Sequence, residues 1–377
     1  MAEQRPSPQR IDKLTPLAST LAAIDRLVAL VAPYECAIDA ALGKTLAADA
    51  IVHEARPPVA LALRDGWAVR SEETLDAGSY APAPLVTPPV EVAAGEPLPP
   101  GFDAVAPLDA VTMSGSAQAL AAVTPGEGVL PTAADAKPDS VLRQAGQKLR
   151  ASDVSALRAL GTARISIRAP HIRVVRARPG DTVLDIAADW IVAAAAADGA
   201  IAMSYGWVGD DARHLHGALV AKLTDAIIVV GGTGTGRNDI SVETLRRVGR
   251  VEMHGIALAP GETTALGMIG TTPVLLVPGR LDAALAAYVT LGRRMLARLA
   301  GQRDEDAAIP ALLTRKIASR LGVAELVPVR RSEQGVEPLA ADYLPHAALA
   351  QADGYILVPA DSEGYPAGAS VAVRPMP

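Results

Sequence analysis

From His171 to Leu296 the apolar pattern switches repeatedly between strand-like and helix-like spacing, and this alternation restricts the possible folds more than any other feature of the chain. A strand over Ile172–Ala177 runs into Arg178-Pro-Gly-Asp181, and helical spacing then extends from about Val183 to Ala197 and stops at Gly199. A strand over Ala200–Trp207 and a helix through Leu215, Leu219 and Leu223 follow. Residues 226 to 230 are apolar throughout and rich in β-branched side chains, the signature of a strand buried on both faces. Strand Val251–Leu258 leads to Ala259-Pro-Gly-Glu262, and strand Val274–Val277 leads to Pro278-Gly-Arg280 and a long helix carrying Leu281, Leu285, Tyr288, Leu291 and Leu296. This order predicts an α/β domain with a parallel, doubly wound sheet. Such sheets bind ligands beyond the carboxyl ends of their strands, here the loops 178–181, 231–239, 259–262 and 278–280.

The most distinctive of these loops is Gly231-Gly232-Thr233-Gly234-Thr235-Gly236-Arg237-Asn238-Asp239, followed by a helix with Val242, Leu245 and Val248 on one face. Its glycines admit positive φ angles and close approach of a ligand to the backbone. A turn of this kind before a helix offers N–H groups to an anion; the competing reading is a tight βα turn with no ligand. No Gly-Lys-Ser/Thr follows, so it is not a phosphate-binding P-loop, and Arg237 stands where the dinucleotide fingerprint needs glycine. No nucleophile elbow, zinc-protease motif or paired-cysteine signature occurs, and the six histidines have no zinc-like grouping. Carboxylates at strand ends (Asp181, Asp239) and arginines at three loops (Arg178, Arg237, Arg280) favour a phosphorylated or otherwise anionic small molecule, with Mg²⁺ beside its phosphates.

The remainder of the chain frames this domain. Residues 1–12 read as a loose polar arm, Thr15-Pro16 as a helix start, and Ala37–Leu46 as a second helical piece. Prolines cluster at 57–58, 82–89 and 97–100 among short apolar runs, which predicts a β-rich domain between 49 and 142. Within it Asp65 precedes Gly66 on an exposed turn. After 304 short alternating segments, including Glu325–Val329, Tyr355–Val358 and Ser370–Val373, predict a terminal β-domain. Thirty-five basic residues against 41 acidic ones give a net charge of −6, and aromatics are 3%, which argues against a nucleic-acid binder. No apolar run reaches the length of a membrane span and no signal peptide is apparent, so the cytoplasm is the expected location. The single cysteine, Cys36, excludes an intrachain disulfide framework and reads as an inert buried thiol on a strand.

Several stretches together resemble a known family. The Gly-Gly-Thr-Gly turn at 231–234, Pro260-Gly261, Leu266-Gly267 and Pro278-Gly279 are similar, in that order, to the molybdopterin-binding domain of molybdenum cofactor biosynthesis proteins. Asp65-Gly66-Trp67-Ala68, Gly95-Glu-Pro-Leu-Pro-Pro-Gly-Phe-Asp103-Ala104-Val105, Arg143-x-x-Gly146 and Ala352-Asp-Gly-Tyr-Ile-Leu-Val-Pro359 extend the likeness to the molybdopterin molybdenumtransferases over nearly the whole chain.

The resemblance implies a helical linker domain (1–48 with 143–169), an inserted β-rich domain (49–142), an α/β molybdopterin-binding domain (170–303) and a C-terminal β-domain (304–377). It further implies a homodimer whose site lies between the α/β domain of one chain and the inserted domain of the other. The implied reaction transfers molybdate onto adenylylated molybdopterin with Mg²⁺ and releases AMP. Asp65 and Asp181 fall at catalytic positions, Asp181 and Asp239 at metal positions, and molybdoenzymes or other cofactor-biosynthesis proteins are the possible partners. The chain also departs from the family pattern. Lys-Pro-Gly-Lys-Pro becomes Ala259-Pro260-Gly261-Glu262-Thr263, an acidic pair becomes Gln147-Lys148, Ser-Thr becomes Arg178-Pro179, and Pro-Gly-Asn-Pro becomes Pro278-Gly279-Arg280-Leu281. Two expectations follow: a transferase in which Arg178, Arg237 and Arg280 replace the lost lysines, or a carrier, chaperone or sensor that binds the pterin without turning it over.

Overall fold

The structure, a computed structural model, describes residues 9–178, 181–205, 212–221, 223–236, 239–303 and 308–377. Its contacts group into two compact units: Met1–Ala48 with Ala145–Ala151 and Ile165–Pro377, and Asp49–Gln144 with Ser152–Arg164.

In the larger unit β1 (His171–Arg176), α1 (Thr182–Ala197), β2 (Ile201–Ser204), α2 (Ala212–Val220), β3 (Ala226–Val230) and α3 (Ser241–Val248) are followed by β4 (Arg250–His254), β5 (Ala265–Ile269), β6 (Thr272–Val277) and α4 (Leu281–Ala287). The sheet order is β2-β1-β3-β6-β5-β4. The first four strands are parallel, as the alternating pattern predicts, but β5 and β4 extend the sheet antiparallel. β3 explains its own sequence. Ala226, Ile228 and Val230 enter the core on one face, Ile227 and Val229 the core on the other, so no position can be polar.

The single strand expected over Val251–Leu258 is two strands in two sheets. Gly255 takes φ +90°, and a Cβ there would strike Ile11. β4 stays on the α/β edge, whereas Ile256–Ala259 pairs in parallel with Thr15–Pro16 on one side and Ala324–Ser332 on the other. This ladder draws the first helix (Leu17–Leu27), the α/β elements and the C-terminal strands into one core, where Leu17 and Ile24 meet Leu258, Leu326 and Tyr355. The C-terminal sheet continues through Gly354–Val358, Ser370–Pro375 and Ile309–Leu312.

Local readings also change. Ala37–Leu46 is not helical: strand Tyr34–Ala37 gives way to a 3₁₀ turn, Ile38–Ala40, and to Thr45–Leu46. Gly43 N–H and Leu46 N–H donate to Leu149 O and Gln147 O instead of to the preceding turn. The first helix starts at Leu17, because Thr15 and Pro16 are held in the strand ladder. The long helix from Leu281 to Ala300 contains a π turn at Tyr288–Gly292. There the fully buried Tyr288 meets Trp190 edge-on at 5.6 Å and donates to Asp198 at 2.7 Å.

The smaller unit is β-rich. Its central antiparallel sheet runs Val90–Val92, Gly66–Val69, Ala104–Ala106, packed on small cores around Val69, Ala106 and Val123 and around Ala68, Val92 and Val105. Gly66 has no alternative, since a Cβ there would overlap Ala106 O on the neighbouring strand. Among the described residues no helix is long and apolar enough to cross a membrane.

Candidate functional site

β1 leads to a strand on one side (β2) and then to one on the other (β3), so the chain reverses its direction of progress across the sheet between β1 and β3. A crevice opens at such a point because the two connections diverge. Here it is a cleft of about 590 Å³, lined by parts of all four loops named from the sequence: Arg178 and Asp181; Gly231 to Gly234 and Asp239; Gly261 to Thr263; and Pro278 to Arg280. Thr235 and Gly236 continue the Gly-rich loop outside this lining, and Arg237 lies outside the described residues.

The Gly-rich loop is held by bonds on its inner side. Gly231 and Gly232 adopt φ +90° and +68°. Gly231 N–H donates to Val277 O at 2.9 Å, and buried Ser241 ties the loop to α3 through its hydroxyl, which donates to Gly231 O at 2.9 Å, and its N–H, which donates to Gly232 O at 3.0 Å. Thr233 is buried; its hydroxyl meets that of Thr263 at 2.9 Å, and its carbonyl accepts from His254 Nε2 at 2.8 Å. Asp239 accepts the Gly236 N–H at 2.8 Å. Gln9, expected in a loose arm, is buried instead: its Nε2 donates to Gly232 O and Gly234 O, and its Oε1 accepts from Val242 and Glu243 N–H at the start of α3. The helix start is therefore already occupied from within. Among the described residues, none accepts from the N–H groups of Thr233, Gly234 and Thr235, the kind of donors that suit an anion. Neither Gln9 nor His254 had a local signal, since their partners lie far along the chain.

Most of the cleft's charges are arranged in pairs among the described residues. Asp181 caps α1 by accepting from Val183 N–H at 3.1 Å and Leu184 N–H at 3.5 Å, and its second oxygen meets Arg178 at 3.2 Å. Arg280 makes a two-pronged bond to buried Asp282 at 3.0 and 2.7 Å, with its guanidinium 5.4 Å from the Tyr343 ring centre. The hydrogen bonds to Asp282 raise the pKa of Arg280 further, so it is a permanent, fixed cation. Glu262 accepts from Gly261 N–H at 3.1 Å and lies 3.6 Å from Arg320. Two arginines thus face three carboxylates (Asp181, Asp239, Glu262) in the described lining. Arg178 and Arg280 do share one cleft, but among the described residues its lining is not net cationic.

No cluster of three or more potential metal ligands occurs among the described residues. Mg²⁺ does not require one, because it keeps several waters and binds through one or two carboxylates plus substrate phosphates. Asp239 suits that role, with one oxygen engaged by a backbone N–H and the other accepting nothing among the described residues. Asp181 is more committed, to α1 and to Arg178.

Asp65 belongs to the smaller unit. It is exposed and accepts the Ala94 N–H at 2.8 Å, while neighbouring Arg64 turns inward to Val105 O and Glu127. Strand pairing on one side and this single anchor on the other present its carboxylate to solvent.

A switch-point cleft with a Gly-rich loop and paired strand-end charges defines a ligand-binding α/β protein of the kind that holds phosphorylated small molecules. Comparison with known proteins makes this specific. Residues 15–161 match the family model "MoeA N-terminal region (domain I and II)", 160–298 match "Probable molybdopterin binding domain", and 310–376 match "MoeA C-terminal region (domain IV)". Molybdopterin molybdenumtransferase 2 of Mycobacterium tuberculosis is 23% identical over 90% of this chain and 94% of its own length. A molybdopterin biosynthesis protein of Methanocaldococcus jannaschii is 32% identical over 174 residues, which span 45% of this chain and 41% of that protein. The crystal structure of a molybdopterin biosynthesis moeA protein from Pyrococcus horikoshii OT3 shares the fold, with a TM-score of 0.74 at 22% identity over 96% of this chain and 99% of that one. The chain belongs to the molybdopterin molybdenumtransferase (MoeA) family.

Proposed function

We propose that this protein is a molybdopterin molybdenumtransferase, which transfers molybdate onto adenylylated molybdopterin and releases AMP. The observation that carries the reading is the donor set at the cleft: the N–H groups of Thr233 and Gly234 in its lining and of Thr235 next to it, without acceptors among the described residues, beside an Arg280 held by buried Asp282. Such preorganised donors stabilise phosphate charge without reorganising during the reaction. In this mechanism the Gly-rich loop receives the pterin phosphate, Arg280 and Arg178 orient the adenylate, and Asp65 acts from the inserted domain of a partner subunit in a homodimer. Mg²⁺, held by Asp239 with help from Asp181, would supply charge neutralisation for the phosphates of the incoming substrate. The four-domain division given above (1–48 with 143–169, 49–142, 170–303, 304–377) belongs to the same reading, supported by family descriptions that count domains I to IV. A cytoplasmic protein handing its product to molybdoenzymes completes it.

A second reading has its own observation. Ala259 and Glu262 stand where the family has lysines, and three carboxylates outnumber two arginines in the described lining. A carrier, chaperone or sensor of molybdopterin tolerates that balance better than an enzyme that must stabilise growing negative charge. Purified protein incubated with adenylylated molybdopterin, Mg²⁺ and molybdate decides between them. AMP release supports the transferase, tight binding without AMP leaves the carrier, and no binding of any pterin rejects both.

A further inference from the structure

The geometry points to Gln9 as a positioning residue that holds the Gly-rich loop in its ligand-receptive shape, an inference that rests on the cleft reading above. Gln9 is 6% exposed and its amide is fully used: Nε2 donates to Gly232 O at 3.1 Å and Gly234 O at 2.8 Å, while Oε1 accepts from Val242 N–H at 2.8 Å and Glu243 N–H at 3.1 Å. These partners lie more than 220 positions away, so the clamp is purely tertiary. It fills a local gap, because Ile240 precedes α3 and offers no side-chain cap.

The consequence for the ligand follows from peptide geometry. In a planar trans peptide the C=O and the next residue's N–H point in opposite directions. Holding the carbonyls of Gly232 and Gly234 therefore directs the N–H groups of Thr233 and Thr235 away from Gln9. His254 holds the carbonyl between them in the same way. Loop glycines have no side chains with which to fix these planes, so without the clamp the Gly232 carbonyl keeps only the Ser241 N–H and, among the described residues, the Gly234 carbonyl keeps no donor. Only a glutamine meets the demand at this reach: glutamate cannot donate, asparagine is one methylene shorter, and methionine does neither.

Gln9→Glu separates the two halves of the clamp. The carboxylate still accepts from the start of α3, which the helix dipole favours, but cannot donate to the loop. In the full-length protein this variant should still fold but melt below wild type, because a carboxylate oxygen would face the Gly232 and Gly234 carbonyls, and it should bind purified molybdopterin roughly tenfold or more weakly, the scale expected for losing two donors. Gln9→Ala should lose both stability and affinity. Wild-type affinity in Gln9→Glu overturns the proposal. Hydrogen exchange of the ligand-free proteins reads the clamp without any pterin: the Gly236 N–H should exchange faster in Gln9→Glu while Val242 and Glu243 stay protected. Unchanged exchange at Gly236 also overturns the proposal. If the wild type binds no molybdopterin but the exchange pattern appears, the clamp stands and the ligand assignment falls.

Discussion

Replacing Gly232 with alanine tests the link between the loop's backbone and its function most directly. Gly232 sits at φ +68°, where an L side chain costs about 1–2 kcal/mol. The new Cβ would overlap Ser241 Oγ and press on Ala177 Cβ at 3.2 Å. Ser241 is fully buried and its hydroxyl holds Gly231 O at 2.9 Å, so displacing it leaves a polar pair unsatisfied at a further cost of about 1–3 kcal/mol. The expected loss is therefore about 3 kcal/mol, concentrated at the cleft. Gly270→Ala is the matched control: it has φ +57° and nothing within 4 Å of the added carbon, so it carries the backbone cost alone. Urea unfolding of both variants, followed by circular dichroism, should place Gly232→Ala about 1–3 kcal/mol below Gly270→Ala. Molybdopterin affinity should fall at least roughly tenfold in the first and stay level in the second. Equal stability in the two variants would refute the packing argument, and retained affinity in Gly232→Ala would refute the role of loop shape.

Other outcomes follow from the charges and the core. Glu262→Lys changes the cleft by two charge units and should tighten molybdopterin binding roughly fivefold to tenfold at low salt, with the gain shrinking as salt is added; titration at two ionic strengths checks it. Asp25 meets Arg294 at 2.7 and 2.9 Å, and this hydrogen bonding lowers its pKa below the ordinary 3.8. Asp25→Asn should cost about 0.5–1 kcal/mol at neutral pH, discounted for exposure, and the difference from wild type should vanish as pH falls through the lowered value, as seen by thermal melts across that range. Burial raises the pKa of Tyr288 far above the ordinary 10.0, so the unfolded chain ionises first and stability falls as pH rises beyond 10.0. Tyr288→Phe should cost about 1 kcal/mol at neutral pH through the lost bond to Asp198, yet soften that alkaline decline.

The α/β strands could be read from sequence because each carries its burial in its own residues. β3 is apolar at every position because both its faces are covered, and the Gly-rich turn after it is visible for the same local reason. Helix α1 announced itself through Leu184, Ala187, Ala188 and Ile191 at helical spacing. What escaped reading was set by distant partners. Gly255 marks where one apolar run divides between two sheets, but nothing local says that Ala324–Ser332 awaits the second half. Gln9 sits among polar residues that look like a tail, and only the loop more than 220 residues away gives it a role. In the site, loop positions were legible but the pairing of their charges was not. Arg280 was expected as a cation for the ligand, and the sequence offered no sign that a carboxylate two residues on would hold it in place.

The division of that apolar run at Gly255 also has a bearing on modularity. Glu262 and Thr263, on one wall of the cleft, lie just beyond a strand whose hydrogen-bonded neighbours are the first and last parts of the chain. A fragment cut to the limits of the α/β segment would carry the Gly-rich loop but not the scaffold of the facing wall. The terminal strands are therefore a jig for the cleft rather than an appendage to it. Substitutions in Ala324–Ser332, remote from any ligand, would be felt at the rim through Leu258 and Ala259.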